Sequence, residues 1–496
     1  MPQNFISCDR EQVWLLPPSV RDWLPEDHLA WTVLDAVDQL DLNGFYSAYR
    51  ADGHGRPAYE PGMMVALLLY AYARGNRSSR RIERACVEDV AYRVIAGNLV
   101  PDHSTIADFR ARHEDALGEL FGGVLGLCAR AGLVSVGVIA IDGTKVLANA
   151  SHERNVDYRQ LAGQILAEAE RIDREEDELY GDARGDELPE HLRTFEGRRA
   201  ALRKAKEELE RERAGEPVEG ESDLELEFDS ERVGQIRGRG RRGWSVDARH
   251  QLDEHRRRQK RPVVNDRQER LLEARRRLVE QQQVEIEANR RHELWYSGQD
   301  PNGVKKPKGG PPLSPWVAPA VPEGKINLTD PDSRVMQSTQ RWVQGYNAQS
   351  AVTPGQIMVA AEISVLSPDF GQLEPMVQAA QHELEKAGVT AQPEAVVADA
   401  GYWHTDQMQR LAARGIPALI PPDANTRRGQ RPGWSGGFYA FMRRVLASDA
   451  GHQLYRQRQM LVEPVFGHTK HNRKIDQFMR RGRSAVHSEW RLIGAT

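Results

Sequence analysis

Apolar and polar positions alternate in three regimes along the chain. Over the first 135 residues the apolar positions recur at helical spacing. In "PGMMVALLLYAYARG" (61 to 75) an apolar body lies between Pro61, suited to a first helical turn, and Gly75, suited to a helix end. "SSRRIERACVEDVAYRVIAG" predicts one further helix, with Ile82, Cys86, Val90 and Val94 on a buried face and Arg80, Arg81 and Arg84 on the other. A third helix is expected from "PDHSTIADFRARH", capped by Ser104 or Thr105 with Asp108 reciprocating. Short helices with exposed arginines fit a DNA-binding module and a plain helical scaffold about equally well.

From residue 136 the period changes. "VGVIAID" (136 to 142) is a short β-branched run and predicts a buried strand ending in Asp142. "RWVQGYNAQSAV" (341 to 352) and "IMVAAEISV" (357 to 365) predict two strands joined at "TPGQ", whose Pro-Gly pair has hairpin chemistry. A helix is expected in "GQLEPMVQAAQHELEKAG", a strand ending in Asp399 in "EAVVADAGYW", a helix in "HTDQMQRLAARG" and a last strand in "IPALIPP" (416 to 422). The order is three strands, helix, strand, helix, strand, then a helix that carries Glu463.

Between the first two strands lies a third regime, helical and highly charged. Leu161, Ile165, Ile172 and Leu179 recur at coiled-coil spacing, as do Phe195, Leu202 and Leu209, which predicts a self-packed helical hairpin over a partner interface. Arg232 to Arg261 holds 11 Lys/Arg against 3 acids and includes "IRGRGRRGW", read as a flexible basic loop able to touch phosphates or as a solvated linker. Residues 300 to 324 are a Pro/Gly-rich connector. The domain boundaries expected are 1–135 (helical, DNA-binding), 136–150 (start of the core), 151–325 (insertion and connector) and 326–496 (remainder of the core).

Composition narrows the class. A chain of 496 residues suits roughly two to four domains. No apolar run is long enough to span a bilayer, and "MPQNFISCDREQVW" lacks the pattern of a signal peptide. Cys8, Cys86 and Cys128 form no CxxC pair, which argues against a disulfide framework or a cysteine-rich zinc site. A cytoplasmic location is therefore expected. The net charge of −4 speaks against nucleic acid, but its distribution does not: 14 Lys/Arg stand against 4 Asp/Glu from Thr426 onward, while 216 to 231 holds 8 acids and no base.

The candidate chemistry is three carboxylates. Asp142 and Asp399 each end a predicted strand, so neighbouring strands would bring them together, and crowded carboxylates need a cation. Magnesium suits them, because it takes hard oxygen ligands and keeps water and phosphate in its shell. A pair of such ions would clamp an in-line phosphoryl displacement. Glu463 stands alone in "LVEPVFGHTKHNR", among His468, Lys470, His471 and Arg473. Pro464 is expected to start or kink the helix there, and the seven-residue spacing places Glu463 and Lys470 on one helix face. The bland alternatives are Asp-Gly turns and a surface Glu–Lys pair.

The chain resembles the DDE transposases of bacterial insertion sequences, in the branch with a Tyr-Arg-Glu-Lys signature. The residues that carry the likeness are "VIAIDGTKV", "NLTDPDSRVM", "VQGYNAQSAV", "VVADAGYW" and "YRQRQMLVEPVFGHTKHNR", with "HGRPAYEPGMMVALLLYAYARGNRSSRRIER" and "PDHSTIADFR" before them. The resemblance implies an α/β ribonuclease H-like catalytic core, an all-α N-terminal domain and a long, charged helical insertion between the first and second core strands. It implies that Asp142, Asp399 and Glu463 bind Mg²⁺, with Mn²⁺ as substitute, and that Tyr455, Arg458 and Lys470 contact DNA near the cleaved phosphate. Arg456 is a substitute for Arg458, because Arg and Glu stand one residue further apart than in the commonest signature. Arg473 is a further expected DNA contact, and Trp403 is read as a packing residue or a platform for a flipped base. Relatives continue beyond "SAVHSEWRLIGAT", which leads one to expect a frayed helix at 489–496. The implied activity is metal-dependent cleavage and strand transfer at terminal inverted repeats, by a homodimer assembled on double-stranded DNA. A silent DNA-binding remnant and a nuclease without strand transfer remain as alternatives.

Overall fold

A computed structural model of the protein describes residues 20–49, 58–180, 193–214, 240–259, 266–298, 314–338, 341–423 and 434–496. Cys8, the acidic stretch 216–231, the start of the basic segment, much of the connector and the side chains of Leu179 and Phe195 lie outside the described residues.

The N-terminal part comprises α1 (Leu29–Asp38), α2 (Asn43–Tyr46), α3 (Pro61–Ala73), α4 (Ser79–Glu88), α5 (Val90–Ile95), α6 (His103–Arg112) and α7 (Glu114–Arg130). Helix α3 begins at Pro61 under a cap from Glu60, and Gly75 follows it at φ +73°. The single helix expected over 79–95 is instead two. Asp89 is extended and its carboxylate accepts from Ala91 N at 2.8 Å, capping α5 and breaking the run, so Val90 is exposed while Ile82, Cys86 and Val94 are buried. The cap of α6 is Asp102, which accepts from Thr105 N at 2.9 Å, rather than Ser104 or Thr105.

The core begins with β1 (Val138–Leu147), which continues past Asp142 rather than ending there. After β2 (Asn155–Val156) come α8 (Tyr158–Tyr180), α9 (Arg193–Ala214), α10 (Gly240–Gln259) and α11 (Arg267–Ser297). The chain returns through β3 (Ile326–Asn327), which pairs antiparallel with β2 and closes the insertion at its neck. Then follow β4 (Arg334–Gln337), β5 (Trp342–Val352), β6 (Met358–Ser364), α12 (Leu373–Lys386), β7 (Ala395–Ala398), α13 (Thr405–Ala413), β8 (Ala418–Leu419), α14 (Gly437–Ala447), α15 (Asp449–Gly467) and α16 (Arg483–Gly494).

The sheet is mixed. β5 runs antiparallel to β1 on one side and to β4 and β6 on the other, while β1, β7 and β8 are parallel, giving the order β6-β5-β1-β7-β8 with β4 beyond β6 along the same edge of β5. Period-2 alternation feeds two cores. Val138 and Ala140 face the N-terminal helices, Phe478 and Trp490; Ile139 and Ile141 face Leu373, Met376 and Leu384 of α12. The N-terminal helices are thus one cover of the sheet. Arg77 and Glu489 form a buried ion pair across this seam at 2.9 Å. Removing either partner would leave a buried charge without its counter-ion, at a cost of about 3–5 kcal/mol, although Glu489 would keep the N–H groups of Met479 and Arg480 and Arg77 the carbonyl of Gln477.

The expected fraying at the C-terminus does not occur. Trp490, Leu492 and Ile493 of α16 are buried, Trp490 Nε1 donates to Gln349 O at 3.0 Å, and Arg491 pairs with Glu383 at 2.9 Å. In the insertion, Leu161, Ile165, Ile172, Leu202 and Leu209 pack into one cluster with Leu271 and Leu278 of α11, so a third helix completes the two-helix seam read from the spacing. Residues 240–259 of the expected basic loop are helix α10, whose Arg249 and Arg256 pair with Glu285 and Glu280 of α11. The "NLTDPDSRVM" segment acts as a clamp: Asp332 pairs with Arg277 of α11 and accepts from Arg483 N at 2.9 Å, while Asp330 accepts from the Tyr346 hydroxyl at 2.8 Å and from Gly482 N at 3.2 Å. Among the described residues no helix is long and apolar enough to cross a membrane.

Candidate active site

The site is set by strand pairing. Parallel pairing of β1 with β7 aligns Ile141 with Ala398, so Asp142 and Asp399 follow side by side on adjacent strands. Asp142 lies mid-strand, opposite Ser350 of β5, and its carboxylate accepts from Gly143 N at 2.8 Å. β7 stops at Ala398 because Asp399 caps the short turn Ala400–Tyr402, accepting from Gly401 N at 2.8 Å. Burial pushes the Asp142 carboxyl up to about 6, Asp399 adds to the shift, and the Arg458 guanidinium opposes it. Asp399 is raised too, first by burial and then by Asp369, against the Gly401 N–H. Two half-desolvated carboxylates side by side are a donor set of hard oxygens that a divalent cation would relieve, and in that respect the residues fit magnesium.

Helix α15 covers this end of the sheet. Ser448 caps it, and it runs through Pro464 without restarting at Glu463 as expected. Pro464 has no N–H for Met460 O, and the Gln356 side chain takes that carbonyl at 3.3 Å. Tyr455 and Arg458 are half-buried on the face toward the sheet, and Arg458 Nη1 lies 2.8 Å from Asp142 Oδ2. Burial and the neighbouring Asp399 push the Tyr455 hydroxyl up, against Arg458. Arg456 and Glu463 are exposed, with Glu463 inside the field of Arg458. Among the described residues no group of three His, Cys, Asp or Glu side chains is placed to hold a metal ion.

The one-face expectation for Glu463 and Lys470 fails for a geometric reason. Residues His468–Asn472 form a π turn, whose wider winding shifts the phase of everything beyond it. Lys470 Nζ consequently turns onto β1, donating to Thr144 Oγ1 at 2.5 Å and Lys145 O at 2.8 Å. Arg473, expected to reach DNA, is buried; it donates to Tyr72 O at 2.9 Å, to Ile493 O at 3.1 Å and to the Thr496 hydroxyl, and so locks α3 to α16. Trp403 is also a packing residue, 4% exposed and stacked 5.1 Å from Tyr439 beside Trp434 and Phe438.

Sequence reasoning missed a polar cradle beneath the aspartates. Asp369 Oδ1 accepts from Asn347 Nδ2 and Gln349 Nε2, both at 2.7 Å, with Lys145 Nζ at 3.5 Å. The signal was present in "GYNAQS": two carboxamides two residues apart, hence on one face, in a strand otherwise read as buried. Gly143 is there for space. A β-carbon on it would lie 2.6 Å from Asp369 Oδ1, 2.8 Å from Asn347 Oδ1 and closer still to Gln349 Nε2, so the Asp-Gly pair is a close-approach point in a strand and not a turn.

A family profile described as Transposase domain (DUF772) matches residues 18–112, and one described as Transposase DDE domain matches residues 318–496. No curated protein and no solved structure matches the chain. Asp399 and Glu463 fall inside the second match, whereas Asp142 precedes it and is brought to Asp399 across the insertion by the pairing of β1 with β7. With a transposase N-terminal domain at one end and a transposase DDE domain at the other, the chain belongs to the DDE transposases of insertion sequences.

Proposed function

We propose that this chain binds the terminal inverted repeats of its element, cuts the DNA there in a divalent-metal-dependent step and joins the freed 3′-hydroxyl to target DNA. The observation that carries the reading is the side-by-side placement of Asp142 and Asp399 on β1 and β7, under a helix that presents Tyr455, Arg456 and Arg458. A ribonuclease H-like core is supported by the strand order β6-β5-β1-β7-β8 with β5 antiparallel. The spacing Tyr455, Arg458, Glu463, Lys470 supports the Tyr-Arg-Glu-Lys branch. Asp142, Asp399 and Glu463 would hold Mg²⁺ or Mn²⁺, which when bound supplies water activation and neutralises charge developing at the phosphate.

The remaining work falls to the chain itself. Arg458 sets a guanidinium beside Asp142, where a phosphate would be held bidentately. Exposed Arg456 extends the basic surface along the backbone path. Lys470, with two of its three donors on β1, fixes the strand that carries Asp142 and retains one N–H for a phosphate oxygen. Two ends must be brought together, which calls for a dimer assembled on DNA. The test is cleavage of a labelled duplex bearing the element's own end with Mg²⁺ or Mn²⁺, comparing the chain with Glu463→Ala and Asp399→Asn. Metal-dependent cutting lost in both variants, with end binding kept, is expected. Binding without cutting by every protein refutes the assignment and leaves a silent DNA-binding protein.

A further inference from the structure

Asp369 precedes α12 and belongs to none of the signature positions, yet its carboxylate reaches Gly143 in the middle of β1 and Gly401 just beyond the end of β7. One of its oxygens is fully engaged. Oδ1 accepts from two buried carboxamides, Asn347 and Gln349, and faces Lys145. The other, Oδ2, has no hydrogen bond among the described residues and points toward the loop of Asp399: it lies 3.6 Å from the place a Gly401 β-carbon would occupy, a place that is 2.9 Å from Asp399 Oδ1. Gly143 and Gly401 are the openings through which it approaches.

The cradle is built, and it is linked to the aspartate pair. Gln349 donates to Asp369 and accepts from the Tyr402 hydroxyl, and Tyr402 belongs to the turn that Asp399 caps. Asn347 is fully buried with Oδ1 unpartnered, 2.8 Å from the point where a Gly143 β-carbon would be. A buried acceptor without a donor costs free energy unless a cation or an ordered water meets it. A carboxylate fixed by two carboxamides through one oxygen, with its other oxygen turned to a second carboxylate, is the geometry of a ligand oriented by its outer shell.

We propose that Asp369 is a fourth carboxylate of the divalent-cation site, lending Oδ2 to a cation shared with Asp399 while Asn347, Gln349 and Tyr402 hold it in place. The inference rests on the metal-dependent reading of the site. Lys145 then serves as a placeholder that balances Asp369 until a cation arrives.

The test is Mn²⁺ alone, titrated into the full chain and followed by loss of the free-ion paramagnetic resonance signal. Asp369→Asn is isosteric, removes the charge and puts a non-ligating NH2 group in place of one oxygen; Lys145→Gln removes the competing ammonium. Cation binding at Asp369 predicts that Asp369→Asn weakens Mn²⁺ binding by about tenfold or more, or lowers the number of ions bound, whereas Lys145→Gln binds no more weakly than the parent. A structural Asp369–Lys145 ion pair predicts loss of thermal stability in both variants with unchanged Mn²⁺ affinity, and that result overturns the inference. Equal weakening by both variants overturns it as well. Mn²⁺ binding by the parent but undiminished in Asp369→Asn removes this inference alone; no Mn²⁺ binding by the parent removes the metal-dependent reading with it.

Discussion

A single methyl group tests the packing beneath the site. Gly143→Ala places a β-carbon 2.6 Å from Asp369 Oδ1 and 2.8 Å from Asn347 Oδ1, with Gln349 Nε2 nearer still, and none of the three can swing into solvent, because Asn347 and Gln349 are fully buried and Asp369 is held by both. At least one carboxamide must leave Asp369. A hydrogen bond to a carboxylate contributes about 1.5–3 kcal/mol, and a carboxamide left buried without its partner costs about 1–3 kcal/mol. Against this stands a backbone-entropy gain of about 0.5–1 kcal/mol for replacing glycine. The net expectation is a loss of about 2–4 kcal/mol. Gly163→Ala provides the matched control: Gly163 is exposed within α8 and a β-carbon there meets nothing within 4 Å, so the same methyl should stabilise by about 0.5–1 kcal/mol. Urea unfolding of both variants, read from midpoints at a common slope, measures the difference. A Gly143→Ala protein within about 0.5 kcal/mol of the parent would show that the cradle relaxes freely, and the close-approach argument would be wrong.

Three further outcomes are expected. Arg456→Ala should lower the slope of log affinity against log salt for end DNA by about one and leave the unfolding midpoint unchanged. Arg473→Met should do the reverse, costing about 2–4 kcal/mol through the carbonyls of Tyr72 and Ile493 while the salt slope holds; a changed slope would return Arg473 to the DNA surface. The third concerns pH: burial, with Asp332 beside it, pushes the Asp330 carboxyl from 3.8 up to about 6. A raised carboxyl binds its proton more tightly when folded, so this group's ionisation removes stability as pH rises from about 4 to about 6, by up to about 3 kcal/mol. Asp330→Asn should flatten that part of the stability profile, and an identical slope in parent and variant refutes the shift.

The sequence by itself settled what is local. Period-3.6 and period-2 patterns, helix ends marked by Pro61 and Gly75, the Thr353–Gln356 hairpin and the longer strands are written in neighbouring residues, so they could be read one segment at a time, whereas the short β2, β3 and β4 and the helix Gly437–Ala447 were not. The two aspartates stood out for the same reason, since a carboxylate after an apolar run is visible in the run, and the pairing of β1 with β7 sets them on neighbouring strands. Where local reading failed, a short-range competitor decided: Asp89 preferred to cap α5 over continuing α4, and the π turn after Gly467 broke the regular winding before Lys470, which bonds β1.

The rest was decided by the tertiary structure. Whether Arg473 meets solvent or Tyr72 O depends on where α3 docks, nearly the whole chain away, and no window of sequence contains that contact. The same holds for Trp403 among Trp434, Phe438 and Tyr439, for Arg458 on Asp142, and for α16, which is held by Glu383 and Gln349 rather than by its own propensity. Asp369 was the least legible of all. Its Oδ1 is held by Asn347 and Gln349 of β5, in a gap that exists because residue 143 has no side chain, and only the folded sheet puts those three facts in one place.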